Sequence, residues 1–185
     1  MIIWINGTYG VGKTTIIHKL EEKLDSHNCK VISSDEFHKK NPYIFETGGG
    51  CYPQNNKKFN RCFKEYILEQ KKCNSKKYII IDMSLTDRIC KEQLFEYFEK
   101  KEKKLIHFIL TASRDTIKTR IKDDKNRESD EAIYHIEFNL QFLKENYENA
   151  IRIDTENKNI DQIAEEIIKH IKNINRNYHK KSTNS

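Results

Sequence analysis

Short apolar blocks recur along the chain, separated by stretches in which apolar residues return every three or four positions. Met1-Ile-Ile-Trp-Ile5 is an unbroken apolar run, the pattern of a strand buried on both faces. Four more blocks read as strands: Lys30-Val-Ile-Ser-Ser34 ending at Asp35, Tyr78-Ile-Ile-Ile-Asp82, Leu105-Ile-His-Phe-Ile-Leu110 and Ala150-Ile-Arg-Ile-Asp154. Helical spacing links Ile16, Ile17, Leu20 and Leu24 through about Ser26, and again Phe59, Cys62, Phe63, Tyr66 and Ile67. It returns at Ile133, Ile136, Leu140, Leu143 and Tyr147, then at Ile163, Ile167, Ile171 and Ile174. Strand and helix alternate throughout, which predicts an α/β fold around a parallel sheet. No internal repeat is visible. One domain over 1–174 is expected, followed by a polar, basic tail over 175–185 that should fray.

The six glycines sharpen this pattern, because they sit in only two places. Gly48, Gly49 and Gly50 form one run, and the rest lie in Asn6-Gly-Thr-Tyr-Gly-Val-Gly-Lys-Thr14. The second group fits G-x-x-x-x-G-K-[ST], with a strand just before it and a helix just after. Glycines there let backbone N–H groups converge on phosphates with no Cβ in the way. The expected nucleotide-binding residues are therefore Gly7, Thr8, Tyr9, Gly10, Val11, Gly12, Lys13, Thr14 and Thr15. Lys13 should reach the β- and γ-phosphates of ATP, and the Thr14 hydroxyl should hold Mg²⁺.

Composition limits the remaining choices. The chain is 36% hydrophobic and 34% charged with a net charge of +6, which suits a polyanionic ligand such as ATP. Its lysines are scattered in pairs such as Lys39-Lys40 and Lys76-Lys77. That scatter argues against the continuous basic groove that nucleic acid, or a 5′-hydroxyl polynucleotide kinase, would require. The five cysteines make no C-x-x-C pair, which points to reduced thiols in a cytoplasmic protein. Cys51 sits beside the glycine run, either as a thiol nucleophile or as a bland free cysteine. No signal peptide or membrane span is expected. GTPase chemistry is disfavoured, since Asn157-Lys-Asn-Ile160 lacks the base-reading aspartate and no D-x-x-G occurs. A multi-subunit mechanical ATPase is disfavoured for want of a helical second domain.

Phosphoryl transfer needs a carboxylate near the γ-phosphate, a metal-supporting acid and cations on the transferred group. Asp35, at the end of the second strand, either takes a proton from an acceptor hydroxyl or caps the following turn; Glu36 replaces it if the register slips by one. Asp82 closes the third strand as a Mg²⁺-supporting acid would, and Ser84, Thr86 and Asp87 follow on the same edge to touch substrate or cap a helix. Arg120 and Arg127 flank Ile-Lys-Asp-Asp-Lys-Asn after a helix that begins near Ser113. They could reach phosphate oxygens, or Arg120 could simply pair with Asp123 or Asp124. From about Phe37 to Asn56, with Pro42 and Pro53 around the glycine run, the chain reads as a long irregular connection. Over the carboxyl edge of the sheet it would cover an uncharged, hydroxyl-bearing substrate, with Gly48–Gly50 as hinge.

Met1-Ile-Ile-Trp-Ile-Asn-Gly with Gly-x-Gly-Lys-Thr resembles the tunicamycin-resistance protein family. So do Leu110-Thr-Ala-Ser-Arg-Asp-Thr-Ile-Lys-Thr-Arg120 and the closing Ile153-Asp-Thr…Ile160-Asp-Gln-Ile-Ala-Glu-Glu-Ile167. The resemblance runs from Met1 to about Ile171 and implies a P-loop NTPase fold of the small nucleoside and antibiotic kinases. Its parallel sheet would have five strands in the order 2-3-1-4-5. It implies an acceptor-orienting carboxylate at Asp35, Arg120 and Arg127 in a lid over ATP, and adenine beside the loop after Asp154. The chain departs from that family in two places. Members carry a proline-containing segment near Asp82, so the metal role of Asp82 rests on its own position. They also have a longer C-terminal region tied to membrane association, which leaves peripheral membrane contact as an implied partner. The activity implied is phosphate transfer to a small nucleoside-like or antibiotic molecule, with sequestration of a nucleoside antibiotic as the alternative.

Overall fold

A computed structural model describes residues 1–45, 55–124 and 130–182. Five strands form one parallel sheet in the order β2-β3-β1-β4-β5. They are β1 (Ile2–Asn6), β2 (Cys29–Ser33), β3 (Tyr78–Asp82), β4 (Leu105–Thr111) and β5 (Ile151–Asp154). In register, Ile5 lies beside Asp82 and Phe108, so β1 and β3 end on the same edge of the sheet. That edge carries the glycine loop.

The sheet is buried on both faces, which is why its central strand has no polar alternation. Ile2 and Trp4 face one way, into a cluster with Phe59 and Phe63 of α3 (Lys57–Cys73). Ile3 and Ile5 face the other way, toward Ile17 and Leu20 of α1 (Lys13–Lys23) and Ile163 and Ile167 of α9 (Ile160–Ser182). Trp4 is fully buried; its indole N–H donates to Met83 O at 3.3 Å, and Phe95 meets its ring edge-on at 5.4 Å. Outside the core, Lys23 ties α1 to α9 through Asp161 at 3.0 Å and Glu165 at 2.9 Å.

Several expectations are corrected. β2 ends at Ser33, and Asp35 sits in the first turn of α2 (Ser34–Lys40). The Ser33 hydroxyl accepts from Glu36 N at 3.4 Å, so the capping role considered for Asp35 falls to Ser33. The stretch expected to be irregular from Phe37 onward is helical through Lys40, then forms a 3-10 turn over Pro42–Phe45. Gly48–Gly50, Cys51 and Pro53 lie outside the described residues.

The helix read across Ile133–Tyr147 is two helices, α7 (Asp130–Tyr134) and α8 (Ile136–Asn146), separated at His135. Arg120 lies inside α6 (Arg114–Asp123), not after it. α9 continues to Ser182, through most of the stretch read as a basic tail.

A helical segment without a counterpart in the periodicity connects β3 to β4. It consists of α4 (Arg88–Cys90), a π turn over Lys91–Phe95 and α5 (Glu96–Lys101). The π turn inserts a residue, so Leu94, Phe95 and Phe98 all reach the core.

Candidate active site

The glycine loop is built by its neighbours as much as by its own residues. At Gly10, φ is 78° and an added Cβ would lie 2.5 Å from Ile121 Cγ1, so α6 presses directly against the loop. At Gly12, φ is 99° and nothing lies within 4 Å of such a Cβ, so the requirement there is the left-handed backbone itself. Gly12 leads into α1, which has no side-chain cap and no acid in its first turn. A helix start without a side-chain cap or an acid in its first turn presents its backbone N–H groups to an anion.

A buried clasp fixes where the loop begins. Asn6 is fully buried, and its Oδ1 accepts from Gly7 N at 2.7 Å and from Leu85 N at 2.9 Å. Its amide nitrogen lies 3.1 Å from His107 Nε2. Burial, then the charge of Arg152, pushes the His107 pKa down to about 3. His107 is therefore neutral, with Nε2 accepting from the Asn6 amide. Ser84 adds a further tie by donating to Gly7 O at 3.0 Å. The nucleotide loop and the loop after β3 are thus one hydrogen-bonded unit.

The charged groups converge from three strand ends. Lys13 Nζ donates to Gly7 O at 3.1 Å and Thr8 O at 3.0 Å, folding over the loop. The Thr14 hydroxyl donates to Asp82 Oδ2 at 3.3 Å. Burial raises the Asp82 pKa above the ordinary carboxylate value; Lys13 opposes the shift, Asp35 adds to it, and Thr14 and His18 oppose it. Asp35 itself is exposed at the start of α2, where the Ser34 hydroxyl donates to it at 3.4 Å.

Arg120 makes contacts that sequence pairing rules did not suggest. Nη1 donates to Val11 O at 3.3 Å and to Thr155 Oγ1 at 3.0 Å, and Nη2 donates to Thr155 O at 3.0 Å. It ties the glycine loop to the β5–α9 connection, and the pairing with Asp123 or Asp124 does not form. Glu156 of that connection accepts from Ser113 at 2.5 Å and Thr116 at 2.6 Å, bonds that lower its pKa. Arg127 lies outside the described residues.

These groups open onto one cleft of about 960 Å³, within the range of small-molecule sites. Residues 9–15 of the loop line it, with Asp35, Asp82, Ser84, Thr86, Asp87 and Arg120. Also lining it are His135, Phe138 and Asn139, which the periodicity did not mark as site residues, and Lys158 and Ile160 from the connection after β5. Tyr134 and Phe138 are the signal that a sequence could have offered, being large apolar side chains off the buried stripe; they are 81% and 62% exposed.

The oxygen donors of Thr14 and Asp82 suit Mg²⁺, which takes one or two protein groups and completes its shell with phosphate and water. No group of three or more His, Cys, Asp or Glu able to hold a metal occurs among the described residues. Burial raises the thiols of Cys29 and Cys90 to about 11 and about 12, so neither is a nucleophile at neutral pH.

Fold and site together define a P-loop NTPase of kinase-like architecture. The chain belongs to the AAA domain family, whose profile matches residues 2–149. No curated protein matches it by sequence. Its structure is similar to the Deinococcus radiodurans tunicamycin resistance protein, with TM-score 0.74 and 24% identity, covering 92% of this chain and 94% of that one. It is also similar to a gluconokinase from Sinorhizobium meliloti, with TM-score 0.67, 13% identity and coverage of 97% and 96%. A shikimate kinase from Acinetobacter baumannii in complex with shikimate gives TM-score 0.61, 21% identity and coverage of 92% of each chain. At these identities the likeness is one of fold. No helix among the described residues is long and apolar enough to cross a membrane.

Proposed function

We propose that this protein transfers the γ-phosphate of ATP to a hydroxyl of a small molecule, nucleoside-like or of an antibiotic kind. The observation that carries this is the placement of Asp35 on the cleft that the glycine loop, Thr14 and Asp82 also line. A binding loop alone would need no carboxylate there. Backbone N–H groups of the loop after Gly7, whose own N–H is held by Asn6, receive the phosphates, and Lys13 exchanges its two carbonyl contacts for phosphate oxygens. Thr14 and Asp82 would hold Mg²⁺, which supplies charge neutralisation across the β- and γ-phosphates. Asp35 orients the acceptor hydroxyl and takes its proton as the new O–P bond forms and the bond to the β-phosphate oxygen breaks. Arg120 keeps the glycine loop and the β5–α9 connection in register around the nucleotide.

Structural similarity to a tunicamycin resistance protein favours a second reading, in which the protein sequesters a nucleoside antibiotic without phosphorylating it. Asp35→Asn separates the two. On the kinase reading turnover falls by at least ~10²-fold while Mg·ATP affinity stays near the wild-type value. Loss of ATP affinity alone would place Asp35 with the metal instead, and full turnover would remove it from the chemistry.

A further inference from the structure

Three polar side chains follow β3 along the cleft edge, at Ser84, Thr86 and Asp87. Two of them are committed to the protein. Ser84 donates to Gly7 O at 3.0 Å, and Asp87 Oδ1 accepts from Ile89 N at 2.6 Å, capping the first turn of α4. Thr86 differs. It is only 4% exposed and lines the cleft, yet among the described residues its hydroxyl makes no hydrogen bond. Its oxygen is not sealed inside the protein but keeps access to the cleft. Hydroxyls so deeply placed are almost always satisfied, so one left open in a cleft calls for a partner from outside the chain.

Sheet order places that partner. β3 runs between β1 and β2, and Asp82 at its end is level with Ile5 of β1 and Ser33 of β2. The loop leaving β3 therefore emerges between the glycine loop, which follows β1, and Asp35, which follows β2. A molecule with one hydroxyl at Asp35, facing the γ-phosphate, lies across the mouth of this loop. The loop is also held on both sides. Leu85 N donates to Asn6 Oδ1 at 2.9 Å, and the Tyr147 hydroxyl donates to Leu85 O at 3.0 Å. A polar group on so fixed a backbone cannot turn elsewhere for a partner, which is what lets it discriminate.

We propose that Thr86 selects the acceptor: its hydroxyl hydrogen-bonds a second polar group of the molecule whose first hydroxyl meets Asp35. The acceptor is thus a polyhydroxylated molecule, a sugar or a nucleoside, rather than a simple alcohol. A molecule lacking the second group would displace water from Thr86 and leave the hydroxyl unpaired, which is how a polar site rejects a deoxy analogue. The acceptor's place at Asp35 rests on the kinase reading above; the bond to Thr86 does not require that phosphate be transferred.

The probes are uridine, adenosine and glucose, each beside analogues that lack one hydroxyl at a time. Each is offered with Mg·ATP for transfer and, separately, to protein loaded with a non-hydrolysable ATP analogue for equilibrium binding. Thr86→Val keeps the shape of the side chain and removes only the hydroxyl. It should raise the KM or Kd of the preferred probe about tenfold with kcat little changed, and Thr86→Ser should restore it. The wild type should disfavour one deoxy analogue of that probe about tenfold, and in Thr86→Val that preference should vanish. The urea midpoint should not fall, because no protein partner is lost. A lower midpoint would make the hydroxyl structural and overturn the inference. So would a deoxy preference that survives in Thr86→Val, or a loss confined to Mg·ATP, which would put the hydroxyl on phosphate. Absence of both transfer and binding across the probes overturns it too. If transfer occurs and Thr86→Val changes neither KM nor preference, the inference fails and the kinase reading stands. If a probe binds without being phosphorylated, and Thr86→Val weakens it and abolishes the deoxy preference, the inference stands and the kinase reading fails.

Discussion

Replacing Asn6 by leucine removes a buried amide of similar size and leaves its partners in place. Three groups lose their hydrogen bond: the N–H of Gly7, the N–H of Leu85 and Nε2 of His107. A buried polar group without a partner costs about 1–3 kcal/mol. All three contacts are buried, and partial relaxation around the leucine leaves the sum at about 3–6 kcal/mol. Against a total stability of about 5–15 kcal/mol, Asn6→Leu should fold only marginally.

Equilibrium urea unfolding reads this directly. With a slope of about 2 kcal/mol per molar, the midpoint should fall by about 1.5–3 M. His107→Gln, which keeps an acceptor for the Asn6 amide, should fall by less than half as much. Because the same amide aligns Gly7 and the loop after β3, any folded fraction of Asn6→Leu should also bind Mg·ATP more weakly. A midpoint shift below about 0.3 M, in a variant with wild-type ATP affinity, would refute the clasp as the anchor of the nucleotide loop.

Lys13→Ala should abolish tight Mg·ATP binding in calorimetry while the circular dichroism spectrum stays that of the folded protein. His107 has a pKa of about 3 in the fold against an ordinary 6.5, so the unfolded chain binds a proton that the native chain refuses between those values. Stability should therefore fall as pH drops through that window, by about 1.4 kcal/mol per pH unit more steeply than in His107→Gln. Equal slopes would show that His107 is not the titrating group. Gly10→Ala should weaken nucleotide binding through collision with Ile121, and adding Ile121→Ala should recover part of it; no recovery would mean that backbone strain alone is responsible. Burial raises the Asp82 pKa, so protons should compete with Mg²⁺ there, and Mg·ATP affinity should fall on acidification more steeply in the wild type than in Asp82→Asn.

Apolar runs and glycine spacing were enough to locate all five strands and the nucleotide loop. A parallel strand buried on both faces leaves an unmistakable block such as Ile79-Ile-Ile81, and only glycine tolerates the backbone of Gly12. Strand order entered through family resemblance, because periodicity carries no information on which strands are neighbours. The segment from Arg88 to Lys101 was illegible because a π turn breaks the 3.6-residue period that would have revealed it.

The strand expected to end at Asp35 stops two residues earlier, since Ser33 and Ser34 suit a strand end and a helix cap equally. The partners of Arg120 were not legible: two of its three contacts are backbone carbonyls, and local charge patterning points only to nearby acids. The Asn6–His107 contact joins residues 101 positions apart, and neither side chain belongs to a motif. Phe138 lies off the apolar stripe by which its helix was read, so the 3.6-residue period left it unmarked.

Phosphoryl transfer itself is tested most directly by following the γ-phosphate of isotope-labelled ATP in the presence of magnesium and the neutral hydroxylated probes. The label should appear as a stable phosphomonoester on an acceptor hydroxyl, and Asp35→Asn should reduce that product at least ~10²-fold. Label recovered only as inorganic phosphate, or left in ATP while an acceptor remains bound, would contradict a kinase and leave a nucleotide-dependent binding protein.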